Sequence, residues 1–438
     1  MIVGITRLRV GTLATLLACA LMSASGARAT PSLVVDVSSG QVLSQEDATA
    51  SWYPASLTKL MTTYVALDAV RSGRMTMDTP LVVSPRATRM APSKMGFRAG
   101  SEVTLGNALI MLMVKSANDI AVTIAEGVGG SVEGFAAEMN RASASLGMTQ
   151  SNWVNPNGLP DKRQVTSARD LAILGRALLT HFPEYAYLYN IGAMQLGSRI
   201  TPTHNGLLGR YPGADGMKTG FTCPAGFNLV ASASRGGQRL IAVVLGAPSA
   251  SARTAKAAAL LDRGFQTGQA QGALAGIEAG GPGAAPDMRE KVCHNRGAAM
   301  AEFMTEVDSL QASTGGGSPA LGLFSAISGD QTMNPRDVAH LPRPHFQPVQ
   351  VYVGRTPGAP GSDGESALDD AANVAAYTDA DTAGGGASRR KTTEAGPRKR
   401  LANATKPLVA PPTHGKAAAG KTMGKLKPLT PATTGATQ

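Results

Sequence analysis

The apolar patterning of this chain stops near Gln266, and that boundary limits what can fold. Beyond it Ala, Gly, Pro, Ser and Thr dominate, and between Gly354 and Gln438 the only aromatic residue is Tyr377. Such a segment buries too little apolar area to offset the chain entropy lost on ordering. Residues 355–438 are therefore expected to be disordered, first acidic (Asp363, Glu365, Asp369, Asp370, Asp379, Asp381) and then basic. Residues 269–354 read as a low-complexity region with two islands: a short helix from Gly297 to Leu310 and an alternating run, Val349 to Val353. The two islands are readable as a reduced accessory module. A core has to come from the first part of the chain, and 43% hydrophobic residues overall suffice for one.

Charge follows the same division. The formal net charge is +11, from 41 Lys and Arg against 30 Asp and Glu. From Ser388 to Gln438 there are 11 Lys or Arg and one acid, Glu394, so 11 − 1 = +10 of the excess sits in the tail. A nucleic-acid-binding domain needs its charge on a folded face, and no such face is readable. The tail suits weak electrostatic contact with anionic envelope polymers or lipid head groups; a solvated tail with no partner is the competing reading. Three Cys exclude a disulfide-stapled miniprotein, and six scattered His with no His-x-x-x-His pair argue against a His-built metal site.

The N-terminus has the layout of an export signal. Arg7 and Arg9 precede an apolar run from Val10 to Met22, and small residues follow, ending in Ala27-Arg28-Ala29. Residues 1–29 are expected to be removed after Ala29, which places the protein in the periplasm or cell envelope. The run is shorter than the roughly 20 residues a bilayer span needs. Lipid attachment at Cys19, with a membrane-associated product, and an uncleaved helix are the alternatives. Export implies oxidising conditions. Cys223 and Cys293 then either pair or remain two buried thiols.

Between these flanks the pattern is mixed. Ser32 to Glu46 reads as a hairpin turning at Ser38-Ser39-Gly40. Helical periodicity covers Ser56 to Val70, Asn107 to Val114, Asp119 to Gly127, Val132 to Leu146 and Ala168 to Thr180. Asn228 to Ser234 and Gln238 to Leu245 form a second hairpin through Arg235-Gly236-Gly237, followed by an Ala/Leu helix from Ala252 to Gln266. Strands at both ends with helices between predict an α+β domain over residues 30–268. Its first and last strands would meet in one antiparallel sheet.

Three short motifs stand on this framework. Ser56-Leu57-Thr58-Lys59 opens the first helix, where positions i and i+3 share a face, so the lysine can take the serine proton. A lysine desolvated or crowded by cations has the lowered pKa such a base needs. A helix start also offers free backbone N–H groups to a developing oxyanion. Ser116-Ala117-Asn118 lies between two helices; Ser116 can relay a proton and Asn118 can hold a substrate amide. Lys218-Thr219-Gly220 precedes the second hairpin as an edge strand. There Lys218 and Thr219 suit a carboxylate, and Gly220 allows close backbone approach. Each motif alone is more often a capped helix or a chance tripeptide; the ordered conjunction is specific.

The set Ser-x-x-Lys, Ser-x-Asn, Lys-Thr-Gly is similar to that of the penicillin-recognising serine enzymes. Residues from about Thr30 to Gln266 resemble the low-molecular-mass penicillin-binding D-alanyl-D-alanine carboxypeptidases. The similarity extends to Tyr53-Pro54-Ala55, Val154-Asn155-Pro156-Asn157-Gly158-Leu159, Thr166-Ser167-Ala168-Arg169-Asp170, His204-Asn205-Gly206-Leu207-Leu208, Asp215 to Thr222 and Gly226-Phe227-Asn228. The resemblance implies a β-lactamase/DD-peptidase-like antiparallel sheet with flanking helices and an all-helical subdomain. It also implies Ser56 as nucleophile, Lys59 as proton acceptor, Ser116 as proton relay, and Asn118, Lys218, Thr219 and Gly220 at the substrate. The implied substrate is a peptidoglycan stem peptide ending in D-Ala-D-Ala. β-Lactams are the implied covalent inhibitors, with no metal or organic cofactor.

Departures bear on the details. Cys223-Pro224 stands where a polar residue is expected beside the site, and neither the family's β-rich second domain nor its C-terminal amphipathic helix is evident. Two prolines in Lys425 to Pro431 disfavour such a helix. A DD-endopeptidase would use the same residues. A class A β-lactamase needs a glutamate for deacylation, and none lies between Asn152 and Arg163. A non-catalytic envelope protein need not have kept all these residues.

Overall fold

The computed structural model describes residues 30–280, 283–312 and 334–354. The expected export signal, the Cys19 alternative, the acidic stretch and the basic tail lie outside them. In chain order come strands β1 (Ser32–Asp36) and β2 (Val42–Glu46), helix α1 (Thr58–Arg71), strands β3 (Pro80–Val82) and β4 (Glu102–Thr104), and helices α2 (Leu105–Val114), α3 (Asn118–Gly129), α4 (Val132–Leu146) and α5 (Ala168–His181). Strands β5 (Ala193–Leu196), β6 (Arg199–Pro202), β7 (Ala214–Thr222), β8 (Gly226–Arg235) and β9 (Gln238–Ala247) follow, then α6 (Ala250–Thr267), α7 (Arg296–Ala312) and β10 (Val349–Gln350).

The main sheet has the order β2-β1-β9-β8-β7 and is antiparallel throughout. The first and last strands do meet: Val35 of β1 lies opposite Ile241 of β9. Alternate side chains face opposite ways along a strand, and both faces are apolar here. Leu33, Val35, Ile241, Val243 and Leu245 enter one core with α1 to α5. Val34, Leu240, Ala242 and Val244 enter a second core under α6. Covering both faces leaves β7 as a free edge. Helix starts are fixed by side-chain caps: Ser131, Ser167 and Ser249 accept from the backbone N–H three residues on.

Helix α1 differs from its amphipathic reading. It is buried nearly all round, including Thr58, Lys59, Thr62 and Thr63. Burial of those polar groups is tolerated because each finds a partner: Thr62 Oγ1 donates to Pro156 O at 2.6 Å and Thr63 Oγ1 to Lys59 O at 2.8 Å. The pairs β3/β4 and β5/β6 have three or four residues per strand, too short to show a period in sequence.

Much of the described chain after Gln266 packs on this body. At the β2 edge Val42 N donates to Gly272 O and Val42 O accepts from Gln271 N. Phe303 and Val307 of α7 are buried on the α6 side, and fully buried Lys256 bonds Thr30 O and Glu306. β10 pairs in parallel with β5. Cys223 and Cys293 are joined, with Cα atoms 5.9 Å apart; Met288 N donates to Pro224 O at 3.0 Å beside this link. Closing a long loop restricts the unfolded chain. Replacing both cysteines by serine is expected to lower unfolding free energy by about 2–4 kcal/mol. Urea denaturation with and without reductant checks it: reductant should destabilise the parent and leave the double variant unchanged.

Candidate active site

The nucleophile turn is built before the helix that follows it. Ala55–Leu57 form a single tight helical turn running into α1, so Ser56 sits one turn ahead of the α-helix and not in its first turn. Asn228 of β8 pins this turn to the sheet: its Nδ2 donates to Tyr53 O at 3.0 Å and Pro54 O at 3.3 Å, while its Oδ1 accepts from Gly246 N at 2.8 Å. Gly220 of β7 lies directly opposite Asn228. A Cβ on Gly220 would stand 3.0 Å from Pro54 O and 3.1 Å from Ser56 N, so only glycine lets β7 approach this closely. Behind the turn, Gly158 adopts φ +85°, and a Cβ there would lie 1.9 Å from Ala55 O.

Lys59 is fully buried. Its Nζ is 3.0 Å from Ser56 Oγ, 2.7 Å from Asn118 Oδ1 and 2.6 Å from Asn157 O. The Asn118 amide orientation follows from its other end, since Nδ2 donates to Ala91 O and Pro92 O. Two of the three Lys59 neighbours are thus carbonyl oxygens that can only accept. A neutral amine has two N–H bonds and one lone pair. Both N–H bonds are taken by Asn118 and Asn157, which leaves the lone pair for the Ser56 hydroxyl. Burial holds the Lys59 pKa well below the usual lysine value, the Lys218 charge adds to that, and Asp119 opposes it. Asp119, also buried, accepts from Met95 N, Gly96 N and Ile120 N and so ties the 95–96 backbone to the start of α3.

Ser116 and Asn118 come from the connection between α2 and α3. Ser116 has φ +62°, an uncommon value for a residue with a side chain. Its Oγ is buried and has no hydrogen-bond partner among the described residues. An unmade bond at a buried hydroxyl is costly; here the group lines the cleft beside Ser56, Asn118 and Thr219, where a ligand can complete it. Lys218 is 2% exposed and donates to Thr219 O at 3.1 Å. Burial, reinforced by Arg253, lowers its pKa to about 7.

All seven residues singled out in sequence are thereby located. Ser56, Ser116, Asn118, Thr219 and Gly220 line one cleft. Lys59 lies beneath Ser56 in hydrogen-bond contact, and Lys218 precedes Thr219 on β7. Arg253 escaped the sequence reading altogether, while His204 and Asn228 stood only within segments similar to the family, with no role given. Arg253, in the first turn of α6, is buried, lines the cleft, and sits 3.4 Å from Asn228 O. His204 lines it as well, and burial together with Lys218, Arg253, Arg343 and Lys115 lowers its pKa to about 4. Asn228 acts through backbone it supports. A basic residue inside an Ala-rich helix carries no local mark; the only signal was its place one turn after Ser249.

Comparison with known proteins agrees with this geometry. A profile described as D-alanyl-D-alanine carboxypeptidase matches residues 20–249. The D-alanyl-D-alanine carboxypeptidase DacA of Haemophilus influenzae is 35% identical over 238 residues, 53% of this chain and 61% of its own length. The chain thus spans about three fifths of that curated relative. Penicillin-binding protein 6B from Escherichia coli superposes with a TM-score of 0.53 at 36% identity, covering 55% of this chain and 78% of that one. Penicillin-binding protein D2 from Listeria monocytogenes, in its cefotaxime-bound form, gives 0.50 at 30% identity, covering 54% and 97%. With just over half of the chain matched, across the stretch that holds Ser56, Lys59, Asn118 and Lys218, this protein belongs to the D-alanyl-D-alanine carboxypeptidase family.

Proposed function

We propose that the chain is a serine-type D-Ala-D-Ala carboxypeptidase that acts in the cell envelope on peptidoglycan stem peptides. The observation that carries this reading is the buried Lys59 amine, 3.0 Å from Ser56 Oγ and in hydrogen-bond contact with the Asn118 and Asn157 carbonyl oxygens, an arrangement that in the neutral form turns its lone pair to Ser56. Family membership and the β-lactam-bound relative support it.

The substrate carboxylate is held by the Thr219 hydroxyl and Arg253, which line the cleft, with the buried Lys218 adjacent on β7. This places the preceding carbonyl over Ser56. Lys59 takes the Ser56 proton as Oγ attacks that carbonyl carbon, and the oxygen charge that develops meets backbone N–H groups of the nucleophile turn and β7. The C–N bond breaks, Ser116 passes a proton to the leaving amine, and D-alanine departs. Water then attacks the ester, giving its proton to Lys59, and returns Ser56 with the shortened peptide. A β-lactam presents the same carboxylate and a strained amide, so it acylates Ser56.

Incubation with a pentapeptide ending in D-Ala-D-Ala should release free D-alanine, and a β-lactam should block that release. Ser56→Ala is expected to abolish labelling by a fluorescent penicillin; persistent labelling contradicts the assignment. Lys59→Ala should slow acylation by about 10²–10⁴-fold with the fold retained by circular dichroism. The pH dependence has a definite sign. Lys59 is a base only when neutral, so the acylation rate falls as pH drops through its lowered pKa. That acid limb, read by stopped-flow acylation, should be absent from the residual rate of Lys59→Ala.

A further inference from the structure

A cavity of about 600 Å³ lies where the segment after Gln266 covers the body. Trp52 and Gly246 line it from the body, and Val292 and Phe303 from that segment. Two acids stand at its edge. Glu302 and Glu306 of α7 both line the cavity, one helical turn apart on one face. They lie outside the family-matched residues 20–249.

Glu306 is already engaged. Its Oε1 accepts from Lys256 of α6, and its Oε2 from Thr30 Oγ1 at 2.9 Å. Lys256 is fully buried, and its three N–H groups are committed to Glu306, Thr30 O and Thr30 Oγ1. Glu302 makes no hydrogen bond or ion pair among the described residues. One cation thus faces two acids, 1 − 2 = −1. Asp47 and Lys291, of opposite sign, line the same cavity and leave that balance unchanged, while Glu46 adds an acid toward Lys256. The place is short of one positive charge.

Thr30 can supply it, since it lines the cavity too. The main-chain N and the Oγ1 of a threonine are three bonds apart, about 3–4 Å, so the Thr30 nitrogen lies within about 7 Å of the Glu306 carboxylate. In the unprocessed chain that nitrogen is an amide. Hydrolysis of the Ala29–Thr30 bond by a peptidase of the export route leaves a carboxylate on the leader and an amine on Thr30, protonated at pH 7. We propose that this new N-terminus is a structural group of the mature protein: the Thr30 ammonium pairs with Glu306 and Glu302 at the cavity edge and fastens α7 to the body. Leader removal and the docking of α7 are thereby coupled. The inference rests on export and not on the chemistry at Ser56.

The protein exported by expressing cells should begin at Thr30 on N-terminal sequencing. Reductive 13C-methylation of that protein keeps the charge and gives the N-terminus its own NMR resonance. The α-amine is expected to titrate about one unit above its value of about 8 in the urea-unfolded chain. Glu302→Gln and Glu306→Gln should each bring it down; Glu302→Gln leaves the Lys256 partner in place, so the test survives if Glu306→Gln fails to fold. A Gly-Ser extension before Thr30 carries the ammonium away and should speed exchange of the amides from Phe303 to Val307 about fivefold at pH 7. A raised pKa stabilises fully below the unfolded value, and that stability is lost as pH rises through the folded value. The difference in urea midpoint between the mature and extended chains is therefore full at pH 7 and gone by about pH 10. A first residue other than Thr30, an α-amine that titrates as in the unfolded chain, or equal exchange and equal midpoints in the two chains overturns the proposal. D-Alanine release tests Ser56 separately and is untouched by any of these results.

Discussion

An amine taken out of water decides most of what this structure does. Placing Lys59 in the first turn of α1, with no exposure, makes its charged form expensive. The structure does not supply a carboxylate within hydrogen-bond distance to relieve that cost; it supplies the Asn118 and Asn157 carbonyl oxygens and the Ser56 hydroxyl. A lowered pKa and a fixed orientation therefore arise together. The same three contacts tie α1, the start of α3 and the 155–158 loop to one atom, so the site and the packing of the helical layer depend on each other.

The cations around the cleft extend this logic. Arg253 disfavours a charge on Lys218, and Lys218 disfavours a charge on Lys59. An arriving carboxylate reverses the first effect, since an opposite charge favours the protonated form. A bound carboxylate would therefore favour the protonated form of Lys218, while Lys59 has no carboxylate within hydrogen-bond distance among the described residues. His204 is kept neutral by the same surroundings and adds no charge of its own. The Ser116 hydroxyl, buried with no partner among the described residues, is a second group that the ligand completes.

How far the sequence could be read depended on the range of each constraint. Ser56 and Lys59 are one helical turn apart, so their contact is written locally, as were the capped helices and the alternating strands β8 and β9. The position of β7 against the nucleophile was readable only as a motif. What holds it there, Asn228 bonding Tyr53 and Pro54 across about 175 positions, has no local trace. Arg253 lay hidden among alanines. The α1 periodicity suggested one buried face because its threonines look polar, yet each is satisfied inside the core. The 287–293 stretch shows the opposite failure: it lies in a region read as low-complexity, but one disulfide, left open between two readings in sequence, ties it to Cys223 just after β7.

The account stands on the protonation state of Lys59, and that state can be observed without substrate. Selective 13Cε labelling of lysine, with Lys59→Met used to assign the resonance, allows the amine to be titrated by NMR in the folded protein. The account predicts a Lys59 pKa well below the ordinary lysine value of 10.5, with the resonance in its neutral position at pH values where surface lysines are still charged. A Lys59 that titrates together with the surface lysines near 10.5 would contradict it.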